Sequence, residues 1–229
     1  MKYRQTGFTL IEIAIVLVII GLLLGGVLKG QELIDSAKVK NLATDFKNIP
    51  VFIYGYQDKY KALPGDDVTV AAHLSGATAC TPSAANLCAK GNGVLDGAWD
   101  AANDAASESN LFWQHVRLAG FATGSTTVGD ATYPQTNAVG GRIGIQSNNA
   151  NFTTITSNAA GSAQTGMTGT YVICSAGILG KFAKQLDTSL DNGDADSGAV
   201  RVSDPANAGK SIVMGSILQG DSYTVCMGV

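Results

Sequence analysis

The chain has 229 residues, of which 45% are hydrophobic and 14% charged, with a formal net charge of −3. That slight acidity argues against a nucleic-acid-binding head, which needs a basic field. After the first thirty residues no second apolar run of about 18 residues occurs, so the sequence predicts a single membrane span.

Met1 to Thr6 is short and basic and leads into Gly7; from Phe8 to Leu28 every residue is apolar or small except Thr9 and Glu12. As a helix this stretch rises roughly 31 Å, about the hydrocarbon thickness of a bilayer. A secretory signal has a shorter apolar region with a small-residue cut on its far side. Here the cut is expected before the run, at Gly7-Phe8, so the helix stays in the mature chain. Lys2 and Arg4 precede the run and predict a cytoplasmic N-terminus with an exported C-terminal domain.

Gly7-Phe8-Thr9-Leu10-Ile11-Glu12, with the apolar run behind it, resembles the processing site of type IV prepilins and type II secretion pseudopilins. The resemblance implies cleavage after Gly7 by a prepilin peptidase, which also methylates the new amino group on Phe8. It implies insertion in a bacterial inner membrane with a periplasmic head, then assembly with other pilin or pseudopilin subunits into a pilus or pseudopilus. Glu12 would pair with the N-terminal amine of a neighbouring subunit. The chemistry is coherent, because removing the leader creates the cation that an anion in lipid needs. A carboxylate at mid-membrane costs about 2.5–3.5 kcal/mol, and less near the interface, where Glu12 falls. The likeness covers the N-terminal fifth of the chain. A weaker one, to pilin-like proteins of proteobacteria, continues through Tyr60-Lys61-Ala62-Leu63-Pro64-Gly65-Asp66, Gly91-Asn92-Gly93 and Phe112-Trp113-Gln114-His115. The proline that many type IV pilins carry near the end of the run is absent, with Lys29 there instead. This departure, with a large head, tilts the expectation toward a minor pilin or a pseudopilin.

Gly21/Gly25 and Gly26/Gly30 are small-xxx-small pairs that let helices approach closely in lipid. From Gln31 to Lys61 the pattern remains helical, with Leu33, Ile34, Ala37, Leu42, Phe46 and Ile49 at three- to five-residue spacings among charges. Pro50 is expected to kink this helix without ending it, and Leu63-Pro64-Gly65-Asp66 to stop it. The expected organisation is therefore leader 1–7, transmembrane helix 8–28, amphipathic stem 29–63 and exported head 64–229.

In the head, Ser75 to Ala106 reads as loop and Ser107 to Leu118 as a short helix. From Val139 onward GRIGI, FTTIT, TYVIC, AVRVS, SIVMGSI and YTVCMGV read as antiparallel strands, with a helix at Ile178 to Leu186. The polar stretch Asn148 to Gly169 reads as a surface loop interrupted by one strand. The fold class is α+β: one long N-terminal helix, half transmembrane and half amphipathic, leading into a pilin-like head with an antiparallel sheet.

Cys80, Cys88, Cys174 and Cys226 are an even set in an exported domain, where disulfides are expected. Three connectivities are open. Cys80–Cys88 with Cys174–Cys226 is favoured, because the last two lie in strand-like segments; the longer bridge would contribute roughly 4 kcal/mol in the entropic account. No CxxC spacing favours a metal, and His73 and His115 are the two histidines.

Asp187, Asp191, Asp194 and Asp196 surround Asn192-Gly193 and Gly198, a composition that fits either a calcium loop or a solvated acidic turn; the turn is favoured. Ala208-Gly209-Lys210-Ser211 mimics the end of a P-loop, but Asp204 stands where its first glycine belongs. Gly91-Asn92-Gly93 is a turn. His115, Trp99 and Trp113 read as packing residues, and no nucleophile–base constellation is legible. The expectation is a non-enzymatic structural subunit without a cofactor, or alternatively a membrane-tethered binding module that does not polymerise.

Overall fold

The computed structural model describes residues 9–81, 88, 91–103, 105–148, 155 and 167–229. The chain divides into two compact units, 1–38 and 39–229. Helix α1 (Leu10–Tyr60) spans 51 residues. In the first unit its side chains are exposed on every face; Leu10, Leu17, Leu22, Leu23 and Leu28 each leave more than half their surface uncovered. A helix that is apolar all round is a helix for lipid or for other helices.

In the second unit α1 is a core element. Val39, Leu42, Ala43, Phe46, Ile49, Ile53 and Tyr56 are buried, at steps of three or four that make one stripe. The packing boundary therefore falls at Lys38/Val39, whereas the sequence places the stem–head boundary at Leu63/Pro64. Leu33 and Ile34, expected on the apolar stripe, are exposed. Pro50 lies inside α1, which continues past it to Tyr60. Lys61 then takes φ +53° and donates its N–H to the Gln57 carbonyl at 2.9 Å, a left-handed helix stop.

After the short helix α2 (Val70–His73), helix α3 (Glu108–Leu118) is buried from Glu108 to Arg117. Strands β1 (Ile143–Ser147), β2 (Tyr171–Leu179), β3 (Val200–Ser203) and β4 (Ser222–Gly228) form one antiparallel sheet in the order β1-β2-β4-β3, with helix α4 (Gly180–Leu190) between β2 and β3. The core joins Phe46 and Ile49 of α1, Phe112 and Val116 of α3, Phe182 and Leu186 of α4, and Ile145, Ile173, Val202 and Val225 of the sheet. Each such side chain contributes roughly 1.5–3 kcal/mol by leaving water. Strand alternation sends Val172 and Cys174 to a second cluster with Cys226, Met167 and Trp99.

Three expected elements differ. SIVMGSI is not a strand: Ser211 makes one bridge to Ser203, Ile212 N–H reaches the Val202 carbonyl, and the chain leaves through a 3₁₀ turn at Met214–Ser216. Gly215 and the exposed Val213 leave it no buried face to alternate. The helix expected at Ile178 starts at Gly180, because Ile178 and Leu179 still pair with Tyr223 and Ser222. GRIGI begins as a strand only at Ile143 and runs on to Ser147. Apart from Ile155, the expected strand FTTIT lies outside the described residues.

Both sheet edges are covered. On β1, Ile143 N–H donates to the Gln135 carbonyl and Ser147 N–H to that of Leu95. On β3, Val202 N–H donates to the Ala195 carbonyl while its own carbonyl accepts from Ile212. A covered edge offers no ladder to a foreign strand.

Candidate functional site

Gly7 and Phe8 lie outside the described residues; the helix they precede begins with a reciprocal cap. Thr9 N–H and Oγ1–H donate to Glu12 Oε2 at 2.8 and 2.7 Å, and Glu12 N–H reaches back to Thr9 Oγ1 at 3.4 Å. This is a capping box, in which the carboxylate satisfies a donor that the helix start would otherwise leave open. Among the described residues, a Cβ built on Gly21, Gly25, Gly26 or Gly30 meets nothing within 4 Å. The segment contains an apolar window of mean hydropathy 2.8, none of it buried, long enough to cross a membrane.

Residues 2–28 carry the prokaryotic N-terminal methylation motif. The N-terminal region is thus of the prepilin type, and the long helix followed by an antiparallel sheet is a pilin-like architecture. No curated protein and no solved structure matches the chain. The matched residues include Glu12, Gly21, Gly25 and Gly26, and Gly30 lies just beyond them.

The head is held by two disulfides, Cys80–Cys88 and Cys174–Cys226. The second joins residues directly opposed in β2 and β4, the two central strands, and both cysteines are buried. Among the described residues no group of three or more His, Cys, Asp or Glu is arranged to hold a metal ion. In the acidic loop, Asp191 Oδ2 accepts from Val200 N–H at 3.0 Å, Asp194 accepts from Asp196 N–H and Ser197 Oγ, and Asp196 accepts from Ser211 Oγ. These carboxylates tie the turn to β3 and its flank. Asp187 is fully buried in α4; burial, with the charges of Asp191 and Asp194, pushes its carboxyl up to about 6.

A second polar centre gathers on Leu63-Pro64-Gly65-Asp66-Asp67, which the sequence offers only as a helix stop. Asp66 accepts the N–H groups of Gly91 and Gly93, fixing that turn from 25 residues away. Asp67 accepts from Tyr56 Oη at 2.8 Å, His73 Nδ1 at 2.6 Å and Thr69 N–H at 2.9 Å. Burial alone would raise the Asp67 carboxyl, but these donors outweigh it and hold it below the usual carboxylate range. Gly65 N–H donates to His115 Nδ1 at 2.9 Å, and His115 Nε2 faces the Thr78 carbonyl at 3.0 Å. Nδ1 therefore accepts and Nε2 donates, so His115 is neutral, and its burial lowers its pKa. The histidine is a bolt between α3 and two loops; it has no reacting group to serve.

Two buried ionisable side chains of α3 were not legible in the sequence. Glu108 has no exposed surface, accepts one bond from Asp96 N–H at 3.0 Å, and leaves Oε1 without a partner. Arg117 donates to the carbonyls of Ser125 and Tyr133 and to Gln135 Oε1, all at 2.7 Å. Its guanidinium also stands 5.0 Å from the Tyr133 ring and 5.7 Å from that of Trp113. Charged side chains on a helix usually mark a solvated face; here Glu108 and Arg117 bolt α3 to its loops.

Proposed function

We propose that the chain is a structural subunit of a type IV pilus-like or type II secretion pseudopilus filament. In this reading a prepilin peptidase and N-methyltransferase cuts after Gly7 and methylates Phe8. The helix then sits in the inner membrane with its N-terminus cytoplasmic and the head periplasmic, until it packs against other subunits. The observation that carries the proposal is the methylation motif at the start of a helix whose N-terminal apolar window is, among the described residues, unburied. Glu12 supplies the anion for a neighbour's new amine, and Gly21, Gly25, Gly26 and Gly30 supply close approach. The sheet edges support the same reading: among the described residues β1 and β3 give outward N–H groups to neighbouring loops, which disfavours strand addition, the other common way to build a polymer. Head-to-tail repetition of one heterologous helix contact generates an open filament.

The test is intact-mass spectrometry of the protein from sheared surface filaments and from the cell envelope. A chain beginning at methylated Phe8 in the sheared fraction is expected for a pilus. The same chain confined to the envelope is expected for a pseudopilus. A chain retaining Met1 to Gly7 in processing-competent cells refutes the proposal and leaves a tethered binding module, which needs an anchor but no cut.

A further inference from the structure

A cleft of about 350 Å³ lies in the head between α1, the turn after α3 and the segment before β1. Small-ligand sites are commonly about 300–1,000 Å³, with an apolar body and a few placed polar groups. The floor is Ile49, Trp113 and Ile143, which are 1%, 4% and 2% exposed. Half-buried Phe52 and Phe121 also line it. The position of Phe121 depends on Gly55: a Cβ there would come within 2.9 Å of the ring edge. The missing side chain lets an aromatic ring lie directly against α1.

The rim is polar, and its hydrogen-bonding sense is set by the surrounding structure. Arg117 Nη2 donates to Gln135 Oε1 at 2.7 Å. A guanidinium has no acceptor, so the amide oxygen accepts in this pair and Nε2 is the donor that Gln135 has left to offer; its contact with the Thr136 carbonyl is long, at 3.4 Å. Asp45 spends Oδ2 on Ala138 N–H at 2.8 Å, which leaves Oδ1 to accept. Asn48, exposed and three residues along α1 from Asp45, offers both a donor and an acceptor.

We infer that this cleft is a carbohydrate site that takes one pyranose ring. A sugar presents an apolar C–H face and a ring of hydroxyls that both donate and accept. Two phenylalanines and a dry floor suit the first, and a carboxylate oxygen, an amide donor and a bifunctional amide suit the second. The carboxylate disfavours an anionic ligand, and the apolar floor disfavours a hydrated cation.

The inference is tested on the full-length protein in a zwitterionic, sugar-free detergent by saturation-transfer difference NMR. The probes are D-glucose, D-galactose, D-mannose and N-acetyl-D-glucosamine at millimolar concentration. Transfer to the ring C–H protons of at least one sugar is expected. Asn48→Ala, at an exposed position, should weaken that sugar about fivefold, the equivalent of one net hydrogen bond, while the melting temperature holds. Phe52→Ala should abolish transfer to the ring face. No transfer from any of the four sugars overturns the inference, and so does transfer left unchanged in both variants.

Discussion

Glu108→Gln isolates a carboxyl that the fold keeps protonated where water would ionise it. Glu108 has no exposed surface; burial, with the nearby charges of Asp66 and Asp96, pushes its carboxyl from an ordinary 4.5 up to about 8, against the pull of one hydrogen bond from Asp96 N–H. A raised carboxyl pKa means that the folded state keeps a proton the unfolded chain has lost. Its contribution is therefore fully present below about pH 4.5, declines as pH rises, and has been lost by about pH 8. At about 1.36 kcal/mol per unit, a shift of that size corresponds to an upper limit on the order of 5 kcal/mol between those limits. Glutamine keeps an oxygen for Asp96 N–H and carries no charge at any pH. It also brings an amide into the place of the unpartnered Oε1, at a cost of about 1–3 kcal/mol. The variant should thus be equal to or less stable than the wild type near pH 5 and more stable at pH 8. Asp187 and every other titrating group are common to both chains and cancel in the difference. The assay is urea unfolding of the head followed by fluorescence of the buried Trp113, with both chains measured from pH 5 to 9. A wild-type-minus-variant difference that changes by less than about 1 kcal/mol across pH 5 to 8 refutes the reasoning, since the linkage demands several.

Lys61→Gly should stabilise the head by about 0.5–1 kcal/mol, because a left-handed residue carries a Cβ penalty of about 1–2 kcal/mol that exceeds glycine's added chain entropy; denaturant midpoints check it. The ion pair it removes, Lys61 to Asp58 at 3.1 Å, is exposed and worth little. Arg117→Met should cost on the order of 3–5 kcal/mol, since it strips charge-assisted bonds from two carbonyls and one amide; Arg117→Lys should recover only part, lacking the planar fork, and thermal melts of both variants decide it. Millimolar calcium should leave the melting temperature unchanged, because the acidic loop's carboxylates are engaged by backbone and serine donors; a rise of several degrees would show them regrouping around the ion.

The elements legible in the sequence are those that local pattern determines. Twenty-one apolar or small residues with two polar exceptions specify a membrane helix on their own. Opposed strand-like runs around Cys174 and Cys226 sufficed to favour their pairing. What stayed hidden depends on distant residues. Nothing local tells that Glu108 is buried, which follows from α3 being enclosed, or that Gly91 and Gly93 aim their N–H groups at Asp66, a contact between loops far apart in sequence. Nor does the SIVMGSI run reveal that the edge of β3 needs only one bridge and one N–H before the chain turns away. Burial of a charge is a tertiary fact, and in this head such facts join α1 to α3 and to the loops.

The capping box makes the role of Glu12 separable by substitution. Two physical jobs coincide on one carboxylate: accepting from Thr9 N–H and Oγ1–H at the start of α1, and supplying an anion to a neighbouring subunit's amine. Glutamine performs the first job nearly as well, because capping boxes accept Gln at this position as readily as Glu. It cannot perform the second, which requires charge. Leucine performs neither. If assembly depends on charge pairing, Glu12→Gln and Glu12→Leu should both insert in the membrane and both fail to enter filaments, measured as the sheared-to-envelope ratio by immunoblot. If Glu12 serves only to cap its own helix, Glu12→Gln should assemble as the wild type does, and the charge-pairing part of the proposed function is then wrong.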